Sequence, residues 1–206
     1  MREAKRKILL RVLVFALLML FPAIAPVFAA PPTKGTYTQV IVDHAIDPGE
    51  QNFQTGDLLH VRGGIGECYL DGGPSSLGNP ISSSYTSLFQ LNLVSLTGTG
   101  IGHVTDTYVA GTVEGIINMK LTGGGSYVYM GPTFTFTLGG VTATVTTGDV
   151  FGGILYDIMA VKHGTGDLAG FTLKGTAAGI SIYGVIVGDP NMVGMNLSVE
   201  TGRFSG

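Results

Sequence analysis

The chain is 206 residues long, 45% hydrophobic and only 12% charged, with 33 glycines, one cysteine and no tryptophan. Five of its 11 basic residues (Arg2, Lys5, Arg6, Lys7 and Arg11) but only one acid, Glu3, lie in the first 29 residues, so the remainder carries 6 basic and 13 acidic residues, a net of −7. That balance, with the remaining cations scattered, argues against nucleic acid, whose phosphates need Lys and Arg, and against an anionic membrane surface; one cysteine excludes an internal disulfide framework, so an apolar core must carry the stability.

From the N-terminus, residues 1–29 read as a secretory signal. A basic "MREAKRK" precedes an apolar run from Val12 to Phe21, and "PAIAPVFAA" supplies small residues suited to a signal peptidase. The cut is expected after Ala29, because cutting after Ala30 would set Pro31 just past the scissile bond. The apolar run holds about ten residues before Pro22, against the roughly 20 of a spanning helix. Residues 30–206 are therefore expected as one exported, extracytoplasmic domain with no stable membrane span; retention of the segment as an anchor stays open.

Downstream, the density of glycine argues against helices, and apolar residues alternate with polar ones at period two, the pattern of half-buried strands. In chain order the predicted strands are "TYTQVIV" (36–42), "DLLHVR" (57–62), "YTSLFQLNLVSL" (85–96), "HVTDTYVA" (103–110), "GTVEGIINMKL" (111–121), "TFTFTL" (133–138), "VTATVTT" (141–147), "GILYDIMAVKH" (153–163), "FTLKGT" (171–176), "GISIYGVIV" (179–187) and "NMVGMNLSVE" (191–200). One face of 111–121 carries Val113, Gly115, Ile117, Met119 and Leu121; one face of 191–200 carries Val193, Met195, Leu197 and Val199. The fold class is all-β, a single antiparallel β-barrel or a β-sandwich of about ten strands. A transmembrane barrel would show aromatic girdles; none is discernible here, and several strand faces are threonine-rich.

Two stretches interrupt the pattern. "GGIGECYLDGGPSSLGNPISSS" (63–84) is rich in Gly, Ser and Pro, reads as a long loop, and gathers Glu67, Cys68, Tyr69 and Asp71 as candidate loop residues. For Cys68 the plain reading is a small buried or loop residue, and the sharper ones are an intermolecular disulfide or a reactive thiol. "HGTGDLAGFTLKG" (163–175) has the glycines of a phosphate cradle but opens onto an alternating strand, where a cradle needs a helix. Its Thr-Gly-Asp recurs at 55–57, 147–149 and 165–167, each time before an apolar residue. Turn chemistry at strand junctions explains that recurrence, and His163 is expected to face solvent.

The run "HGTGDLAGFTLKGTAAG" (163–179), with "GTVEGIINMKL" before it, resembles a pattern in small β-barrels of the allene oxide cyclase and dirigent type. It is also similar to exported proteins that share a GTGxLxG turn. Gly164, Thr165, Gly166, Leu168, Gly170 and Gly175 match in type, although the return strand is a few residues longer than in the named enzymes. The resemblance implies a calycin-like barrel with an apolar cavity. It carries over no catalytic residue.

Histidines 44, 60, 103 and 163 lack metal-ligand spacing, although His103 and His163, at strand ends, could converge. Asp43, Asp47 and Glu50 match no calcium loop and read as a solvated acidic segment. There is no G-x-S-x-G elbow, and Asn196-Leu197-Ser198 fits an N-glycosylation triplet. Neither a cofactor nor a metal is expected. The leading functional reading is a non-enzymatic exported protein that binds an apolar small molecule or serves at a cell surface. One alternative is a cyclase or isomerase using the barrel cavity, with Glu114, Asn118, Asp157 and His163 at its mouth. Another is a filament or matrix subunit that donates "APPTKGTYTQVIV" (30–42) as a strand, and the oligomeric state stays open.

Overall fold

The computed structural model describes residues 34–54, 56–187 and 189–206; the expected signal and its cut lie outside them. Eleven strands form among the described residues: β1 (Lys34–Asp47), β2 (Glu50–Gln54), β3 (Leu58–Gly72), β4 (Ser82–Asn92), β5 (Thr97–Tyr108), β6 (Gly111–Val128), β7 (Phe134–Leu138), β8 (Val141–Val145), β9 (Val150–Thr165), β10 (Thr172–Val187) and β11 (Met195–Ser205). Single 3-10 turns lie at Gly166–Leu168 and Pro190–Met192.

β1, β3, β4, β5, β6, β9, β10 and β11 pair antiparallel in that order, and β11 returns to β1. The result is a closed eight-stranded up-and-down barrel, so the choice between sandwich and barrel falls to the barrel. Closure leaves these strands without an open edge along their paired lengths. β2 extends one side as a flap on the first residues of β3, and β7–β8 is a separate hairpin inserted between β6 and β9.

The closing strand is β1. It pairs with β11 from Lys34↔Ser205 to His44↔Met195, and with β3 from Gln39↔Gly72 to Asp47↔Ile65. The part of the considered donor strand within the described residues is thus hydrogen-bonded into its own barrel, on one side from Lys34 and on both from Gln39.

Two predicted strands, 171–176 and 179–187, are one: β10 pairs with β9 without interruption from Thr172↔His163 to Ile182↔Gly153. The small residues between them look like a break, but neighbouring strands supply their ladder bonds. The expected loop over 63–84 shrinks to 73–81, because Gly63–Gly72 continue β3 and Ser82–Ser84 begin β4. Its glycines serve a strand: the register shifts between Arg62 and Gly64, and a Cβ on Gly66 would fall on the Tyr85 ring. Gly56, Gly148 and Gly166 of the three Thr-Gly-Asp copies have φ of 70°, 96° and 60°, the left-handed turn conformation that glycine adopts without strain.

The alternation places one face of each barrel strand inside, and the structure decides which. Met195 and Leu197 of β11 point outward, as do Val40 and Val42 of β1 and Ile180 and Ile182 of β10. They are buried because the β7–β8 hairpin folds over them with Phe134, Phe136, Leu138, Ala143 and Val145. The opposite hairpin face carries the threonines, paired across strands at Thr135–Thr144 (2.8 Å) and Thr137–Thr142 (2.9 Å).

Phe136, 2% exposed, anchors that lid. Phe136→Ala should destabilise the protein by about 3–5 kcal/mol, read by denaturant unfolding. A loss below about 1 kcal/mol would mean that the hairpin does not depend on this packing.

Candidate functional site

Inward positions of all eight barrel strands surround a cavity of about 340 Å³. Its character changes along the strands. On β9 the inward residues run Ile154, Tyr156, Ile158, Ala160, Lys162; on β11 they run Asn196, Ser198, Glu200; on β1 they run Asp43, Ile41, Gln39, Tyr37. Toward one end Leu59, Phe89, Leu91, Met119, Leu121, Ile154 and Ile158 make an apolar wall with Tyr156 at its margin. Toward the other, Leu77, Val113, Leu168, Phe171, Leu173 and Phe204 pack with Tyr37 and Tyr108 into an apolar plug. Leu168 and Phe171 come from the turn that follows His163, and Leu77 from the 73–81 loop. These connections close the barrel floor.

Above the plug lies a buried ionic layer. Lys162 Nζ sits 2.9 Å from Asp106 Oδ2, with their side chains 3% and 0% exposed. Ser83 Oγ donates to Asp106 Oδ1 at 2.6 Å, and the Tyr37 hydroxyl donates to Glu200 Oε1. Burial works against the Lys162 ammonium, but the Asp106 and Glu200 carboxylates outweigh it and hold the group firmly protonated. Burial, with Asp106 adding, pushes the Tyr108 hydroxyl up to about 12, so it stays a neutral hydrogen-bonding group. Gly175 makes room for this layer, since a Cβ there would fall on the Glu200 carboxylate and lie 2.6 Å from the Tyr37 hydroxyl.

Between the ionic layer and the apolar wall lies a polar belt centred on Asp43. Asn196 Nδ2 donates to Asp43 Oδ1 at 2.5 Å, and the Tyr85 phenol lies beside the same carboxyl. Burial pushes Asp43 up from 3.8 to about 6, although Asn196, Tyr85 and His44 pull it down. Cys68 faces Asp43 from β3; burial and the Asp43 charge raise its thiol well above the ordinary range. It is therefore a neutral thiol lining the cavity, and neither the reactive-thiol nor the disulfide reading has geometric support.

The other candidates lie elsewhere. Glu114, Asn118, Asp157 and His163 all occupy the outward face of β6 and β9: Glu114 pairs with His163 and is half-buried, while the other three are exposed. The cavity-mouth assignment of these four is corrected on the parity of their strands, whose inward positions are Val113, Ile117, Met119, Tyr156 and Lys162. Glu67, Tyr69 and Asp71 sit in β3, on the face opposite Cys68. Glu67 Oε1 accepts from the Gly139 N–H (3.0 Å), and Tyr69 stacks on Phe134 under the hairpin with ring centroids 6.0 Å apart. His103 lies on the outer face of β5, with β6 between it and His163. The glycosylation triplet is interior: Leu197 is fully buried, Ser198 is 1% exposed, and Asn196 is bonded to Asp43.

Sequence reasoning passed over Asp43 as a solvated acid and missed Tyr85, Asp106, Tyr156, Lys162, Asn196 and Glu200. A signal was present for Lys162. It shares the period-two face of Ile154, Ile158 and Ala160, and a lysine on an apolar face is buried with a partner or not at all.

Removing one member of the ionic pair, as in Asp106→Asn or Lys162→Met, should cost about 3–5 kcal/mol, whereas the double change Asp106→Leu with Lys162→Met should cost far less. Equal additive losses in a double-mutant cycle would reject the coupling. Because the folded-state value of Asp43 is raised, its protonated form favours the fold. That contribution is complete below about pH 4, declines as pH rises through 6, and amounts at most to about 3 kcal/mol. Asp43→Asn should therefore raise the melting temperature relative to the parent near pH 7.5 and lose that advantage near pH 4. A difference independent of pH would contradict the assignment.

No family model, no curated protein and no solved structure matches this chain. By its structure the chain is an all-β protein folded as a closed eight-stranded antiparallel barrel.

Proposed function

We propose that this is an exported, extracytoplasmic binding protein that holds an apolar small molecule inside its barrel. One observation carries the reading: a cavity of about 340 Å³ whose apolar wall of Leu59, Phe89, Leu91, Met119, Leu121 and Ile158 faces a belt of hydrogen-bonding groups. Pockets of small molecules typically span about 300–1,000 Å³ and combine apolar walls with a few convergent polar groups. The barrel architecture also fits the calycin-like, apolar-cavity character that the resemblance to allene oxide cyclase and dirigent-type barrels implies. A second reading, a cyclase or isomerase using the same cavity, is favoured by Asp43: a carboxyl titrating near 6 beside a phenol in a half-apolar site is suited to proton transfer.

The natural chain has no tryptophan, so Met119→Trp both fills the cavity and supplies a fluorescent reporter. The parent should bind 1-aminoanthracene, a neutral apolar fluorophore, and release bound apolar material detectable by native mass spectrometry. Met119→Trp should bind the dye at least about tenfold more weakly with its melting temperature kept. A parent that neither binds the dye nor carries any ligand would sink the binding reading.

A further inference from the structure

We infer that the cavity selects an apolar amine, its ammonium group docking against Asp43 and the Tyr156 hydroxyl while its hydrocarbon body lies along the apolar wall. This rests on the binding reading above and names the ligand class for the same site.

The first observation is the charge inventory. Asp43, Asp47, Asp106 and Glu200 line the cavity, and among the described residues Lys162 is the one basic side chain that does. Lys162 is engaged by Asp106 at 2.9 Å. Glu200 takes the Tyr37 hydroxyl and adds to the field on Lys162. Asp43 is left with neutral partners, the Asn196 amide and the Tyr85 phenol. The remaining titratable groups nearest it are Cys68 from β3 and Tyr156 from β9, both neutral because burial raises them. His44, next along β1, lies on the outer face, where its ring packs against Gly139. The His44 charge draws on Asp43 from outside the barrel, but among the described residues no cation inside the cavity is hydrogen-bonded to this carboxylate, and a bound ammonium supplies one.

The second observation is independent of charge. The Tyr156 hydroxyl is buried, with the residue 4% exposed; the Ser198 side chain of β11 lies near it, but no hydrogen bond of ordinary geometry links the two. Tyr156 is a buried member of the apolar wall that lines the same cavity as Asp43, near enough for the Asp43 charge to help raise its hydroxyl. Buried hydroxyls are rarely left unpaired. An ammonium bears three donors and no acceptor, so one group can satisfy both the Asp43 carboxylate and the Tyr156 oxygen.

The test titrates the intact protein with three probes sharing one alkyl body, octylamine, 1-octanol and octanoate, by isothermal calorimetry. Near pH 7.5 octylamine should bind at least about tenfold more tightly than octanol, with octanoate weakest. Near pH 5, where Asp43 is protonated, the preference should fall to about twofold or less. Asp43→Asn should abolish the amine preference near pH 7.5 and keep octanol binding, which itself reports an intact cavity; Tyr156→Phe should weaken octylamine by roughly threefold to tenfold. Equal binding of amine and alcohol, or an amine preference that survives Asp43→Asn, overturns the amine inference and leaves the binding reading standing. Binding of none of the three probes overturns both.

Discussion

Closure through β1 is the constraint on which the rest of this structure depends. A strand from the start of the described chain is held between the last strand, β11, and β3, the next strand of the barrel, and only then does the sheet acquire an inside. With eight strands the interior is just wide enough for side chains to fill it or for one small ligand to share it. Here it is divided: a plug at one end, a cavity toward the other, and an ionic layer between.

That division explains an otherwise odd distribution of residues. The more apolar faces of β1 and β11 look outward and are covered by the β7–β8 hairpin, while their inner faces carry Gln39, Asp43, Asn196, Ser198 and Glu200. A hairpin inserted between β6 and β9 thus turns part of the outer surface into a second core. The barrel interior is then free to hold polar groups, provided they satisfy one another. Asp106, Lys162, Ser83, Glu200 and Tyr37 do so. Buried ion pairs of this kind seldom add net stability over an apolar core of the same volume, so this layer is better understood through the charge it sets at the cavity floor than through the energy it contributes.

The glycines connect turn chemistry to packing. In "HGTGDLAGFTLKG", Gly166 makes the turn, Leu168 and Phe171 enter the plug, and Gly175 leaves space for Glu200 and Tyr37. The stretch is structural and closes the barrel floor. In β3 the glycines allow a register shift and the close approach of the Tyr85 ring, which is why a composition typical of loops runs through a strand.

Strands, turns and the all-β class were legible from the sequence alone, because period-two alternation and glycine turns are local properties of the backbone. The apolar faces of 133–138 and 141–147 could be read the same way, and their pairing into a hairpin is seen in the structure. The sense of each face could not. Alternation separates two faces without saying which looks in, so nothing local in the chain shows that the strands of Glu114, Asn118, Asp157 and His163 turn these side chains away from the cavity. Asp43, Tyr85, Tyr156 and Asn196 come from four different strands, and no spacing in the chain records that they meet. Tertiary structure alone decided the barrel's closure, its inner face and the electrostatics of its cavity, because each depends on which strands become neighbours across long stretches of chain.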